Sequence, residues 1–470
     1  MSEFWSSKFG LNWRAAALLG LISSTFSTLV SQFTAARIGR DAAVDWMVVA
    51  SIPLREGVLQ VEPSWPVILA GILFHQWADV SWAVVFFGLL GRWTAGLSPW
   101  AILLLAGPWA FFTSAAEWLF LVPLLPFWQP IFPLDQPYWI GFLVHWASAS
   151  MYPIFPWLRD WTAGHLPSPH RRFAAVWSSL AAFGVLALGF VAFLGWQNRE
   201  PPWIGTDPGY DQAYMRRMKA HHAQGVELAR LAAQKAEDPH VMAMSRLIAA
   251  VQNGEIAVFE QWWRSWFDGP LPEATPDDHA VMPGMLSREE LERFGSAQGA
   301  EFDRLFVGLM TSHHQGAIAM ADEALRKASD PRLKLMAHSI RHAQRGEIEL
   351  MYGTEGLAAV EAAIAALWLP ARQHPTDRQR GAGPLEHHGA SVPPMSPDRG
   401  NTPRASSLVR PEGASLRLDV DRLRGSSGTS AVRNRPVRRA VGRHSVRAAR
   451  PASLNAGCRS LQQGHNHASP

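Results

Sequence analysis

The chain has 470 residues, 22 of them Trp and only one Cys, with a formal net charge of +4. That length exceeds one ordinary domain, and the lone Cys458 excludes an intrachain disulfide framework and a cysteine-built zinc site. Residues 369–470 hold 17 Arg, no Lys and 6 Asp+Glu, so the positive charge lies in the tail and the remainder is net negative, which excludes a basic nucleic-acid-binding body.

Three regions of unlike composition divide the chain: 1–203, 204–356 and 357–470. The first holds 18 of the 22 Trp, and it reads as a membrane domain. A bilayer crossing needs about 20 mostly apolar residues. Five stretches qualify, at about 15–33, 66–91, 99–127, 138–158 and 173–196. The first has a short basic run-in (Lys8, Arg14) but a long apolar run, and is read as an uncleaved span rather than a signal peptide. With the N-terminus inside, Arg92, Arg159, Arg171 and Arg172 fall on the inner side, although Arg37, Arg40 and Arg55 in the first loop run against that bias. Five spans then put everything after Trp196 outside. His75, Asp79, Glu117 and His145 lie within the spans; they read either as an interhelical hydrogen-bond network or as a proton or metal-ion path.

The second region repeats itself after a shift of 92 residues. Asp211 falls on Asp303, Met218 on Met310, His221–His222 on His313–His314, Asp238–Pro239 on Asp330–Pro331, and Glu255 on Glu347. Sixteen of the 50 positions from 211 to 260 match their partners, which marks an internal duplication. Each Asp-Pro pair separates two helices, since Asp caps a helix and Pro suits its first turn. The expected helices run over about 209–236, 239–267, 297–328 and 331–353. Ser287 with Glu290 forms a capping box for a short helix between the copies. Two such hairpins make a four-helix bundle, so the fold class is all-α: transmembrane helices, then a bundle, then a disordered tail.

At 100° per residue Asp211, Met218 and His222 share one helix face, with His221 to the side; the second copy does the same with Asp303, Met310, His314 and the flanking His313. Glu255 and Glu347 face inward from the second helices, where they serve either as ligands or as hydrogen-bond partners. Bundle interiors are where facing side chains build metal sites, and Met282, Met285 and His279 in the connecting loop add three candidate donors. Thioethers are soft and select Cu(I) or its analogue Ag(I), while imidazole also suits Cu(II) and zinc. A di-iron carboxylate bundle wants Glu-x-x-His, and here Val258 and Leu350 stand three residues after Glu255 and Glu347.

The pattern Asp-x-x-aromatic-x-x-x-Met-x-x-His-His, then Asp-Pro, then Gln-x-x-Glu-Ile, in two copies joined by MPGMLSREEL, resembles the ferritin-like domain of unknown function family numbered 305. The resemblance covers about 207–353. It implies a ferritin-like bundle in a secreted, periplasmic or membrane-anchored bacterial protein, with copper binding and copper or silver tolerance through Met and His. Carried onto this chain, it implicates Met218, His221, His222, Met282, Met285, Met310, His313 and His314. Copy one departs from the family wording, with Ala223–Gln224 where copy two has Gln315–Gly316.

The tail, rich in Arg, Pro, Ser, Ala and Gly without aromatics, reads as disordered, and its Arg-without-Lys bias raises the hypothesis of out-of-frame translation, with a native tail left open. The expected function is therefore a multi-pass bacterial plasma-membrane protein carrying an outward-facing copper- or silver-binding bundle for buffering, storage or tolerance, with zinc and iron left open as ions. Its partners are metal ions and the lipid bilayer, not nucleic acid; a homo-oligomer and a metal-chaperone partner stay open. No catalytic or organic-cofactor constellation is evident. The alternatives are a metal oxidase of ferritin-like type and a metal transporter or sensor that uses the intramembrane His, Asp and Glu groups.

Overall fold

The computed structural model describes residues 2–124 and 130–368. Residues 125–129 and the Arg-rich tail from 369, with Cys458, lie outside the described residues. Within them the regular elements are helical. The N-terminal half comprises α1 (Ser2–Thr34), α2 (Ala42–Leu54), α3 (Trp65–Val84), α4 (Gly91–Thr94), α5 (Pro99–Ala115), α6 (Val122–Leu124), α7 (Ile131–Asp135), α8 (Tyr138–Ser150), α9 (Phe155–Thr162) and α10 (Arg171–Trp196). Then come α11 (Tyr210–Lys235), α12 (Pro239–Trp266), α13 (Pro276–Ala280), α14 (Arg288–Ser296), α15 (Gly299–Lys327), α16 (Pro331–Met351) and α17 (Gly356–Trp368).

Four helical stretches are long and apolar enough to cross a membrane: Asn12–Arg37, Trp65–Leu89, Pro99–Leu124 and Arg171–Trp196. The expected span at 138–158 is not one helix. α8 stops after 13 residues, about 20 Å at 1.5 Å per residue, and a 3₁₀ turn with Pro153 then Pro156 restarts the chain as α9. The broken segment still runs from end to end of the helical stack. Trp139 at its start donates to His338 of α16, and Arg159 near its finish donates to the carbonyl of Ala95, beyond α3. α10 turns Phe183, Leu186 and Phe190 outward, an apolar face that water does not tolerate and lipid does. α2 is a helix within what the sequence left as a long loop; Asp41 caps it by accepting from the Ala43 and Val44 amides.

The duplicated hairpins form where expected. Asp238 and Asp330 cap α12 and α16, and the Ser287–Glu290 capping box opens α14. A second box, Thr275 with Asp278, opens α13, and Asp278 also binds Arg216 and Arg217 of α11. Residues 356–368, grouped with the tail on composition, form α17 and bury Ala359 and Ala363.

The bundle packs directly on the N-terminal half. Val44, Met47, Ile131 and Leu134 belong to the same buried cluster as Met244, Leu247, Phe302 and Met310. Equivalent positions in the two copies make the attachment. His240 meets Glu56 at 2.7 Å, while its counterpart Arg332 binds Glu200 at 2.7 Å, and Glu200 in turn binds Arg37 at 2.9 Å. Gly254 and Gly346 are also equivalent, and both must lack a side chain. A Cβ would lie 2.6 Å from Asp41 Cβ at Gly254 and 1.9 Å from the Leu134 carbonyl at Gly346.

Candidate metal centre

The four repeated histidines are wholly buried. His221 and His313, which the helical wheel put on the flanks, meet instead across the two copies with ring centroids 3.9 Å apart. The reason is the loop 281–286, which closes over them: His221 Nε2 lies 3.0 Å from the Pro283 carbonyl, and His313 Nε2 lies 2.9 Å from the His221 carbonyl. The inward pair, His222 and His314, each face a carboxylate of their own hairpin. His314 Nε2 hydrogen-bonds Glu347 Oε2 at 2.7 Å. His222 Nε2 approaches Glu255 Oε2 to 2.8 Å without hydrogen-bond alignment.

A carbonyl oxygen only accepts, so Nε2 of His221 and of His313 must carry the proton and donate. Their Nδ1 atoms are then bare lone pairs. Among the described residues, Nδ1 of all four histidines has no hydrogen-bond partner. Burial holds His221, His313 and His314 neutral: it pushes His221 and His314 down to about 3, helped by neighbouring histidines, and puts His313 well below the ordinary value. Neutral imidazole with one nitrogen fixed by a partner and the other bare is the form that ligates metal. Burial, with Asp135 and Glu255 nearby, pushes the Glu347 carboxyl well up.

The remaining candidates are distributed differently from the wheel. Asp211 and Asp303 do not face the histidines. Asp303 accepts from the Glu237 and Asp238 amides at 3.3 and 2.9 Å, and Asp211 from those of Ser329 and Asp330 at 2.9 and 3.4 Å. Each copy's first helix therefore anchors the Asp-Pro turn of the other copy. A wheel reports direction around a helix but not height along the bundle, and both residues sit near the end. Glu255 and Glu347 orient histidines. Met218 and Met282 lie in one apolar cluster with Met285 packed at its edge, whereas Met310 lies in the other. Among the described residues, no three His, Cys, Asp or Glu side chains converge on one point. Gln252 and Gln344 went unremarked as site residues, yet both are buried with neither amide atom partnered, and Gln252 lies beside His313. Their recurrence at the 92-residue shift was the available signal.

The family described as Domain of unknown function (DUF305) matches residues 211–354. Among solved structures, CopM in the Cu(II)-bound form is 30% identical, covering 30% of this chain and 93% of that one, with a TM-score of 0.27. The chain belongs to the DUF305 family. A DUF305 fragment from Deinococcus radiodurans is 29% identical over 32% of this chain and 96% of that one, with a TM-score of 0.29. A DUF305 protein of Streptomyces coelicolor, described as a putative secreted protein, is 27% identical over 30% and 86%, with a TM-score of 0.28. No curated protein matches the chain.

Outside the DUF305 segment, the polar groups of the spans pair between helices. Ser27 of α1 bridges His75 and Asp79 of α3, at 3.0 and 2.5 Å. Glu117, in a π-helical turn after α5, binds His145 of α8 at 3.2 Å and accepts from Trp82 Nε1. Thr113 completes His145 through Nδ1 at 3.1 Å.

Proposed function

We propose that this protein is a membrane-anchored, extracytoplasmic binder of Cu(I), and of Ag(I) as its analogue, which buffers or stores the ion. The observation that carries the reading is the set of four buried imidazoles whose Nδ1 atoms have no protein partner among the described residues. An unpartnered buried polar atom is costly, and four in duplicate register are explained by a ligand that uses them. His221, His222, His313 and His314 supply the nitrogen donors, and Met218, Met310, Met282 and Met285 the soft thioethers. Glu255 and Glu347 orient the inner rings, and the Pro283 carbonyl orients His221. The scarcity of converging carboxylates favours a soft monovalent ion over iron or zinc. The 30% identity to CopM, a protein characterised with Cu(I), Cu(II) and Ag bound, points the same way.

The outward orientation rests on charge. With the N-terminus inside and five crossings, Arg92, Arg159, Arg171 and Arg172 fall on the cytoplasmic side, as the positive-inside rule favours. Arg37 and Arg40 at the bundle end are committed to ion pairs with Glu200, Asp45 and Asp135.

The test is a titration of the full chain in detergent with Ag(I), and with Cu(I) against a chromophoric chelator. Binding tighter than micromolar is expected, and replacing all four histidines by Ala should weaken it at least a hundredfold. Equal affinity in the quadruple variant, with the fold intact by circular dichroism, would end the metal reading.

A further inference from the structure

The membrane half contains a cavity of about 380 Å³ between α1, α2, α3 and α8. Its walls are mostly apolar and aromatic, with Trp46, Phe74, Trp139 and Trp146 among them, and its few polar groups include His75, Glu117 and His145. Such a volume is far larger than a bare ion needs. It falls in the range of organic-ligand sites, which combine apolar walls with a few oriented polar groups.

Two features define the occupant. Leu143 and Trp146, which line the cavity, are 44% and 49% exposed, so its wall reaches the surface of the apolar helices. The ligand therefore arrives from the bilayer. Inside, Glu117 and His145 hold each other at 3.2 Å, Glu117 lies in a π-helical turn, and His75 packs against Trp46 with centroids 5.5 Å apart. π-turns recur at functional sites because they displace one side chain from the helical register. A lipid acyl chain would leave the imidazole–carboxylate pair against hydrocarbon, at a desolvation cost. A flat ring bearing oxygen atoms would not, since its hydroxyls donate to carboxylate or imidazole and its carbonyls accept from a ring N–H, while the aromatic walls contact its faces.

We infer that this cavity is a binding site for a membrane-soluble quinol or quinone, held by Glu117, which His145 orients, and by His75 between the aromatic walls. The site is separate from the histidine cluster of the bundle, and it stands whether or not that cluster binds copper.

The test uses the full chain in lipid nanodiscs, titrated with radiolabelled decylubiquinone, with empty discs subtracted. Saturable binding at one site per chain is expected, displaced by unlabelled decylubiquinol and not by n-decylbenzene, which has the same tail and a ring without oxygens. Glu117→Gln, which removes the carboxylate at constant shape, and Ala147→Leu, which fills the cavity without touching a polar group, should each weaken binding at least tenfold. The thermal melt of the discs and Ag(I) binding report whether each variant is folded; if Glu117→Gln fails them, Ala147→Leu decides. Displacement by n-decylbenzene as effective as by decylubiquinol would reduce the cavity to an apolar lodging. No binding above empty discs, or unchanged binding in the folded variants, would overturn the inference.

Discussion

The two copies of the hairpin share a backbone plan and differ where the loop between them lands. In copy one, Gln224 holds that loop from the side, accepting from the Leu286 amide at 2.8 Å and donating to its carbonyl at 3.2 Å. The equivalent position in copy two is Gly316, where a Cβ would lie 2.0 Å from the Pro283 carbonyl. The departure of copy one from the family wording is therefore not decay of one site. It is one half of a single interface, in which one copy grips the loop and the other makes room for it. The loop then breaks the symmetry of the histidines: His221 donates to the loop, and His313 donates to His221. Duplication supplied two equal histidine pairs, and the connecting segment fused them into one asymmetric cluster.

The largest effect should come from denying the loop its space. Gly316→Val forces the Pro283 carbonyl away and should cost about 3 kcal/mol, seen as a lower melting temperature of the full chain in detergent, with weaker Ag(I) binding because His221 loses its partner. A variant that melts like the wild type would show that the loop does not depend on this contact. Acid comes next, through both copies. An unfolded histidine takes its proton near pH 6.5, whereas His221 and His314 resist protonation down to about 3. Between those values the unfolded chain binds more protons, so stability falls as pH falls, by about 1.4 kcal/mol per unit for each ring well below 6.5. Glu347 in copy two opposes this, because its carboxyl is raised and the folded state holds a proton that the unfolded state has released above about 4.5. Melting curves of Glu347→Gln should therefore lose stability more steeply on acidification than wild type. A flat wild-type profile from pH 6.5 to 4.5 would mean that the rings are not held neutral. Gln224→Ala follows, losing two hydrogen bonds at about 1 kcal/mol each. It should shift the melt less than Gly316→Val does; a larger shift would reverse which copy anchors the loop.

Much of this was legible in the residues. Asp-Pro pairs and the Ser287 box located the bundle helices to within a residue or two, because caps act through local hydrogen bonds. Paired histidines at equal register located the cluster. What was not legible depends on contacts between distant segments. The turn at Met151–Ile154 ends a helix that hydropathy reads as unbroken. The swap by which Asp211 and Asp303 anchor each other's hairpins involves residues 118 and 65 positions away. The flanking histidines became interior only because 281–286 folds back across them.

The finest distinction between the copies, and the smallest expected effect, concerns Gln252 and Gln344. Gln252 sits beside His313 of the opposite copy: a Cβ at Gly225 would touch both Gln252 Oε1 and His313 Cε1. Both amides are buried and unpartnered, a state that costs about 1–3 kcal/mol for each orphaned group. Methionine has nearly the same length and asks for no hydrogen bond. In a bundle whose purpose is packing, Gln252→Met and Gln344→Met should raise the melting temperature and change nothing else. In a bundle built around a metal, the same changes should still stabilise the metal-free protein, by about 1 kcal/mol, yet weaken Ag(I) binding severalfold, because a polar group kept at a stability cost beside a ligand is retained for what it does when the ligand is loaded. Stabilisation with unaltered Ag(I) affinity would remove the glutamines from the site and leave the histidines and methionines to bind alone.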